Sequence, residues 1–142
     1  VPQGWRYDPA TARALKASQF NAPGSMVYLQ FSAPCHQLDG KGAPPYLLAL
    51  AGNPAVLDRD PISLINITLN GSSPVVVGGS PDAYRMNPFR SLLGDQDVAE
   101  LVGYIRSAWR NRAARVTQGQ VSDLRSKTDP VHDEQLMLLR MR

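Results

Sequence analysis

Cys35 and His36 stand side by side in the string Phe31-Ser32-Ala33-Pro34-Cys35-His36-Gln37-Leu38-Asp39-Gly40-Lys41-Gly42. Adjacent residues cannot easily face each other as nucleophile and base, and no third group nearby completes such a constellation, so hydrolytic and nucleophilic catalysis are not expected. The same two residues close the C-x-x-C-H pattern of a c-type haem site. There, two thiols add across the haem vinyl groups and the histidine binds the iron. The place of the first thiol is held by Ser32, whose hydroxyl does not form a thioether. Taken alone, such a pair is more often a buried thiol beside a surface histidine. Cys35 is the one cysteine of the chain, which excludes an intrachain disulfide framework and any multi-cysteine zinc or iron–sulfur site built by this chain alone.

The elements that must position these residues are short. Pro23-Gly24 precedes a helix over Ser25–Phe31 that runs toward Cys35-His36. A helical stretch at Ala10–Ala17 lies in an N-terminal arm, residues 1–22. Residues 37–61 carry repeated turn chemistry in Asp39-Gly40-Lys41-Gly42, Pro44-Pro45 and Gly52-Asn53-Pro54. A helix over Pro61–Leu69 follows, with Asp60 as cap and Gly71 past its end. Asn70–Asn87 reads as loop, including Val75-Val76-Val77, which has no pairing partner. Val98, Leu101, Val102, Ile105 and Trp109 fall at helical spacing. Asp95, Asp97 and Glu100 near the start and Arg106 and Arg110 near the end complement the dipole of one helix over Asp95–Arg110. Thr117–Arg125 reads as a short helix, and Glu134–Met141 as a weakly helical tail.

With 142 residues the chain supports one domain with a tail, and its 12 Pro and 11 Gly mark it as rich in loops. Loops of roughly 20 residues need a reason in a compact domain, and a large buried cofactor supplies one. The apolar run Tyr46–Ala51 is far below the roughly 20 residues of a membrane span. The first residues show no basic and apolar leader, so any export signal is expected to have been removed or to lie outside this sequence. A formal charge of +3 selects no partner class by itself.

The string around Cys35-His36 resembles the haem-attachment region of class I cytochrome c domains, particularly in the cytochrome subunits of bacterial membrane-bound alcohol and aldehyde dehydrogenases. The likeness continues in order through Leu50-Ala51-Gly52-Asn53-Pro54, Asp60-Pro61, Leu69-Asn70-Gly71, Met86-Asn87-Pro88-Phe89 and Asp95-Gln96-Asp97-Val98-Ala99-Glu100-Leu101. It ends at Tyr104-Ile105-Arg106-Ser107-Ala108-Trp109 and Asn111. The resemblance implies an all-α cytochrome c-like fold over residues 23–125, short helices and long loops around one haem, with residues 126–142 as tail. It also implies His36 as proximal iron ligand, Met86 as distal ligand and Cys35 as the single thioether site of one haem c. Gly24 and Tyr28 would then meet Leu101 and Tyr104. Such domains usually carry Pro-Pro where this chain has Leu48-Ala49, a proline carbonyl there accepting from the ligand histidine, and glycine where it has Arg110.

The function implied is electron carriage rather than enzymatic catalysis: a periplasmic monohaem domain or subunit accepting electrons from a dehydrogenase and passing them along a respiratory chain. The alternative is a degenerate domain without stable haem that serves as a structural or docking module. Arg106, Arg110, Arg112 and Arg115 lack the motif context of a nucleic-acid site and read as a solvated helix end, or as a dock for an acidic redox partner. Met26, Met137, Met141 and His132 are assigned to packing or the tail. Any membrane association is expected only indirectly, through a complex.

Overall fold

The computed structural model describes residues 1–71 and 86–128. The sequence readings at Val75–Val77, His132, Met137, Met141 and the tail helix lie outside them. Among the described residues the architecture is helical without a strand: α1 (Ala10–Lys16), α2 (Ser25–Phe31), α3 (Ala33–His36), α4 (Pro54–Leu57), α5 (Ile62–Asn70), α6 (Asp95–Ile105), a 3-10 turn (Ala108–Arg110) and α7 (Gln118–Lys127). The all-α expectation therefore holds. α3 is a single turn directly after α2, and α4 a single turn inside the region expected to be loop, capped by the Asn53 side chain accepting from Ala55 N–H.

The α2–α6 crossing forms the centre of the fold, and Gly24 makes it possible. Its φ is +85°, and a Cβ there would lie 2.1 Å from the Glu100 carbonyl oxygen and 3.0 Å from Tyr104 Cβ. Any side chain would force the helices apart. One turn on, the Tyr28 ring meets Tyr104 at 5.4 Å and Trp109 at 5.2 Å between centroids, the second pair edge-to-face. Tyr28 and Trp109 are fully buried, each contributing roughly 1.5–3 kcal/mol in apolar burial. The expected meeting of Gly24 and Tyr28 with the last long helix is present, and Leu101 is buried in the same core.

The expectation of one helix from Asp95 to Arg110 is corrected. α6 stops at Ile105, because Trp109 and Arg110 take φ values of +55° and +77°, which a continuing right-handed helix cannot accommodate. Arg110 thus occupies a left-handed position, which explains why glycine suits that place in the domains the sequence resembles. Two buried polar side chains fix the turn. Arg106, 1% exposed, donates from Nε to Ala114 O at 2.7 Å and from Nη1 to Val56 O and Asp58 O at 3.0 and 2.7 Å. Asn111 donates to Leu50 O and Ile105 O while its Oδ1 accepts from Gly52 N–H at 2.9 Å.

Of the arginines at the helix end, Arg110, Arg112 and Arg115 are exposed, as expected of a solvated helix end, and Arg106 departs from that expectation. Arg106 is interior, Arg110 stands 3.9 Å from Asp8, and Arg115 donates to Pro23 O at 3.3 Å. The N-terminal arm lies across this region: Leu15 is buried, Thr11 Oγ1 accepts from Trp109 N–H, and Trp5 Nε1 donates to Arg110 O. At the other end α7 opens with a reciprocal capping box between Thr117 and Gln120 and buries Val121 against α5 and α6.

Replacing Arg106 by Met removes the donor from three carbonyls, that of Val56 in a buried contact, and is expected to lower unfolding stability by about 3 kcal/mol, since hydrogen bonds to charged donors contribute about 1.5–3 kcal/mol each. Urea unfolding of the variant against the parent checks this. A change below about 0.5 kcal/mol would contradict the role assigned to the guanidinium.

Candidate functional site

The site grows from one tight turn. Ser32 leaves helical geometry at φ −116°, ending α2. Its carbonyl then accepts from both Cys35 N–H and His36 N–H, at 3.2 and 2.8 Å. Pro34 suits the first turn of α3, where no intrahelical partner exists for its missing N–H. The spacing places Ser32 and Cys35 three residues apart on this turn. The Cys35 thiol is exposed. Ser32 is buried, and its Oγ has no hydrogen-bond partner among the described residues.

His36 is half-buried, with Nδ1 2.8 Å from the Leu48 carbonyl oxygen. A carbonyl only accepts, so Nδ1 carries the proton and Nε2 keeps its lone pair. Burial pulls the imidazole below its ordinary pKa, opposed by the bond to Leu48, so the ring is neutral at pH 7. This reverses the picture of a buried thiol beside a surface histidine: the thiol is outside, and the imidazole is held with one nitrogen free to bind.

Backbone bonds put Leu48 O where it is needed. Gly42 N–H donates to His36 O, Ala43 N–H to Leu47 O, and Leu50 and Ala51 N–H both to Gly40 O. The excursion from Gly40 to Leu50 is thereby folded back on the ligand turn. Because the acceptor belongs to the main chain, the departure from Pro-Pro at Leu48-Ala49 leaves the contact intact.

Two aromatic side chains fix the chain after His36, and the sequence reading assigned both to packing alone. Tyr28 Oη donates to Gln37 O at 2.6 Å, and Trp109 Nε1 to Leu38 O at 2.9 Å. Gln37 takes φ +69°, an uncommon conformation for a side-chain-bearing residue that these bonds hold. The hydroxyl and the indole N–H were the available sequence signals, since buried Tyr and Trp seek polar partners.

Met86 is half-buried and packs against the core. Its segment is anchored to the end of α5, with Phe89 N–H donating to Thr68 O and Arg90 N–H to Leu69 O, both at 3.0 Å. The Phe89 ring meets Phe31 edge-to-face at 5.8 Å, joining this segment to the residue before Ser32. Among the described residues no cluster of three or more His, Cys, Asp or Glu side chains forms a metal cage. An iron carried in a macrocycle needs only axial donors from the chain.

Comparison with known proteins gives the following. The sequence profile described as cytochrome c matches residues 22–109. The chain is 35% identical over 129 residues to the cytochrome c subunit of a quinone alcohol dehydrogenase from Komagataeibacter europaeus, covering 89% of this chain and 28% of that subunit. The corresponding subunit of Gluconobacter oxydans is 38% identical over 122 residues, covering 85% and 25%. The gluconate 2-dehydrogenase cytochrome c subunit of Pantoea cypripedii is 38% identical over 120 residues, covering 83% and 27%. The chain thus spans 25–28% of the length of these curated relatives.

The buried phenols around the ligand turn carry a pH dependence. Burial, then the neighbouring Tyr104, raises Tyr28 well above the ordinary value of 10.0, and burial pushes Tyr104 up to about 12. Their contribution to stability is fully present below pH 10 and is lost as pH rises through the raised values, because the unfolded chain ionises first. Tyr28→Phe is expected to cost about 1 kcal/mol at pH 7 and to flatten the decline above pH 10. Urea unfolding at neutral and alkaline pH checks both; an unchanged alkaline slope would contradict the assignment.

Proposed function

Because the chain belongs to the cytochrome c family, we propose that it is a monohaem electron carrier in which Cys35 forms a single thioether to one haem c and His36 and Met86 are the axial iron ligands. The observation that carries this reading is the His36 imidazole, neutral and oriented by Leu48 O so that Nε2 is free to bind. The remaining features agree. Cys35 offers an accessible thiol one residue away, and buried Ser32 Oγ lies unpartnered where the first thiol of the motif would be. An imidazole nitrogen and a thioether sulfur are the donors that low-spin haem iron takes, and this pairing raises the reduction potential. These groups favour a haem-carrying domain over a degenerate docking module.

Bound haem supplies a one-electron iron couple. The chain's own task is to hold and shield it. His36 is fixed through its ring, its carbonyl and the two carbonyls after it, and the Phe31–Phe89 contact joins α2 to the segment that follows Met86. No residue needs to gain or lose a proton. The chain is accordingly an electron carrier and not itself a catalyst.

The domain is assigned to residues 23–125, with 1–22 as an arm laid across it and 126–142 as tail. We read its electron donor as a dehydrogenase, a reading supported by relatives named as cytochrome c subunits of alcohol and gluconate dehydrogenases, and its acceptor as a component further along a respiratory chain. Among the described residues no helix is long and apolar enough to cross a membrane, in keeping with membrane association through a complex only. Covalent haem attachment in this family favours the periplasm. Exposed Arg112, with Arg115, suits an acidic face on the partner, and no nucleic-acid role is assigned.

Redox spectroscopy of the haem-loaded protein tests the ligands. Met86→Ala is expected to abolish the sulfur-to-iron charge-transfer absorption and lower the potential, while His36→Ala prevents stable low-spin haem. Ser32→Cys is expected to shift the alkaline pyridine spectrum to shorter wavelength, because saturating the second vinyl group shortens the conjugated system. Unchanged spectra in Met86→Ala would contradict the distal assignment, and an unshifted Ser32→Cys spectrum with the extra thiol free would contradict the placement of Ser32.

A further inference from the structure

α7 lies beyond residue 109, where the match to the family profile ends, yet its main polar contacts reach the segment that follows Met86. Arg125 donates from Nη1 to Arg90 O at 2.6 Å and from Nη2 to Leu93 O at 2.7 Å, and its Nε stands 2.6 Å from Asp95 Oδ1. Arg90 answers it, donating from Nη1 to Arg125 O at 3.0 Å. It also donates from Nη2 to Thr128 O and Oγ1, and from Nε to Asn70 Oδ1 at the end of α5. Two arginines thus clasp each other's carbonyls and tie α5, α6 and α7 into one unit.

Three residues, Asn87, Pro88 and Phe89, separate Met86 from Arg90 of this clasp, and their backbone has little freedom. Phe89 and Arg90 are hydrogen-bonded to the last turn of α5, and Pro88 has a fixed φ. Gly71, at φ +74°, passes so close that a Cβ would lie 2.5 Å from Met86 O. Displacing the Met86 backbone therefore pulls against the clasp, which leaves side-chain rotation as the sulfur's remaining freedom.

We propose that α7 is a strap for the distal ligand: Arg125, acting through Arg90, is a positioning residue that resists displacement of Met86 from the iron. This rests on the reading of Met86 as distal ligand. The strap works on the ease with which Met86 gives way to a competing donor. Loosening it should therefore leave the His36 side of the site and the attachment at Cys35 unaltered.

Imidazole titration of the oxidised, haem-loaded protein tests this, followed by loss of the sulfur-to-iron absorption. Arg125→Met is expected to raise imidazole affinity roughly tenfold, with Arg125→Lys, which keeps the charge but loses the planar fork, in between. Leu15→Ala, a cavity at the one buried residue of α1, which packs on the 3-10 turn rather than on the clasp, lowers general stability and is expected to stay within about twofold of the parent. Equal affinities in Arg125→Met and the parent would overturn the strap while leaving Met86 as ligand. An equal rise in Leu15→Ala would also overturn it, reducing the effect to lost stability. Absence of the sulfur-to-iron absorption in the parent would remove Met86 as ligand and the strap with it.

Discussion

The proposed iron site depends on how one imidazole, that of His36, is held. A histidine that binds iron through Nε2 must keep that nitrogen unprotonated and aimed, and an unrestrained side chain does neither. Here the restraint comes from main-chain carbonyls. Leu48 O takes the Nδ1 proton, Gly42 N–H holds His36 O, and Tyr28 and Trp109 hold the next two carbonyls. The α2–α6 crossing exists to bring those aromatic donors to the ligand turn, and Gly24 permits the crossing. Burial of the ring reinforces the same protonation state.

A site specified by backbone acceptors tolerates sequence change in ways that side-chain ligands do not. Leu48 replaces a customary proline without loss of the acceptor. Arg110 replaces a customary glycine at a left-handed position, and its carbonyl accepts from Trp5 in the arm. Ser32 differs in kind, because a hydroxyl cannot stand in for a thioether sulfur. Under the proposed ligation, more of the cofactor's retention would fall on His36, Met86 and the packing around them.

Elements set by local signals were legible in the sequence. Ser25–Phe31 is bounded by Gly24 and the Ser32 break, and its helix is as expected. The helix after Asp60-Pro61 is shifted by one residue, because the Asp60 side chain accepts from Ile62 N–H and leaves Pro61 outside. The juxtaposition of Cys35 and His36 was legible for the same reason, since adjacency is a sequence property. What escaped depends on distant partners. Trp109 continues the helical period of α6, and its left-handed φ arises from bonds to Thr11 and Leu38. Arg106 has the composition of a solvated helix end, and only the carbonyls of Val56, Asp58 and Ala114 make it interior. The Arg90–Arg125 clasp spans 35 residues and has no local signature.

The central claim, one haem joined covalently through the lone thiol, is tested most directly by the intact mass of the denatured protein. The chain is produced with the bacterial haem-attachment machinery, beside a Cys35→Ala variant. The account predicts a mass of the chain plus one haem, retained through acid-acetone extraction and absent from the variant. A mass of the chain alone, with no Soret absorption before denaturation, would contradict it.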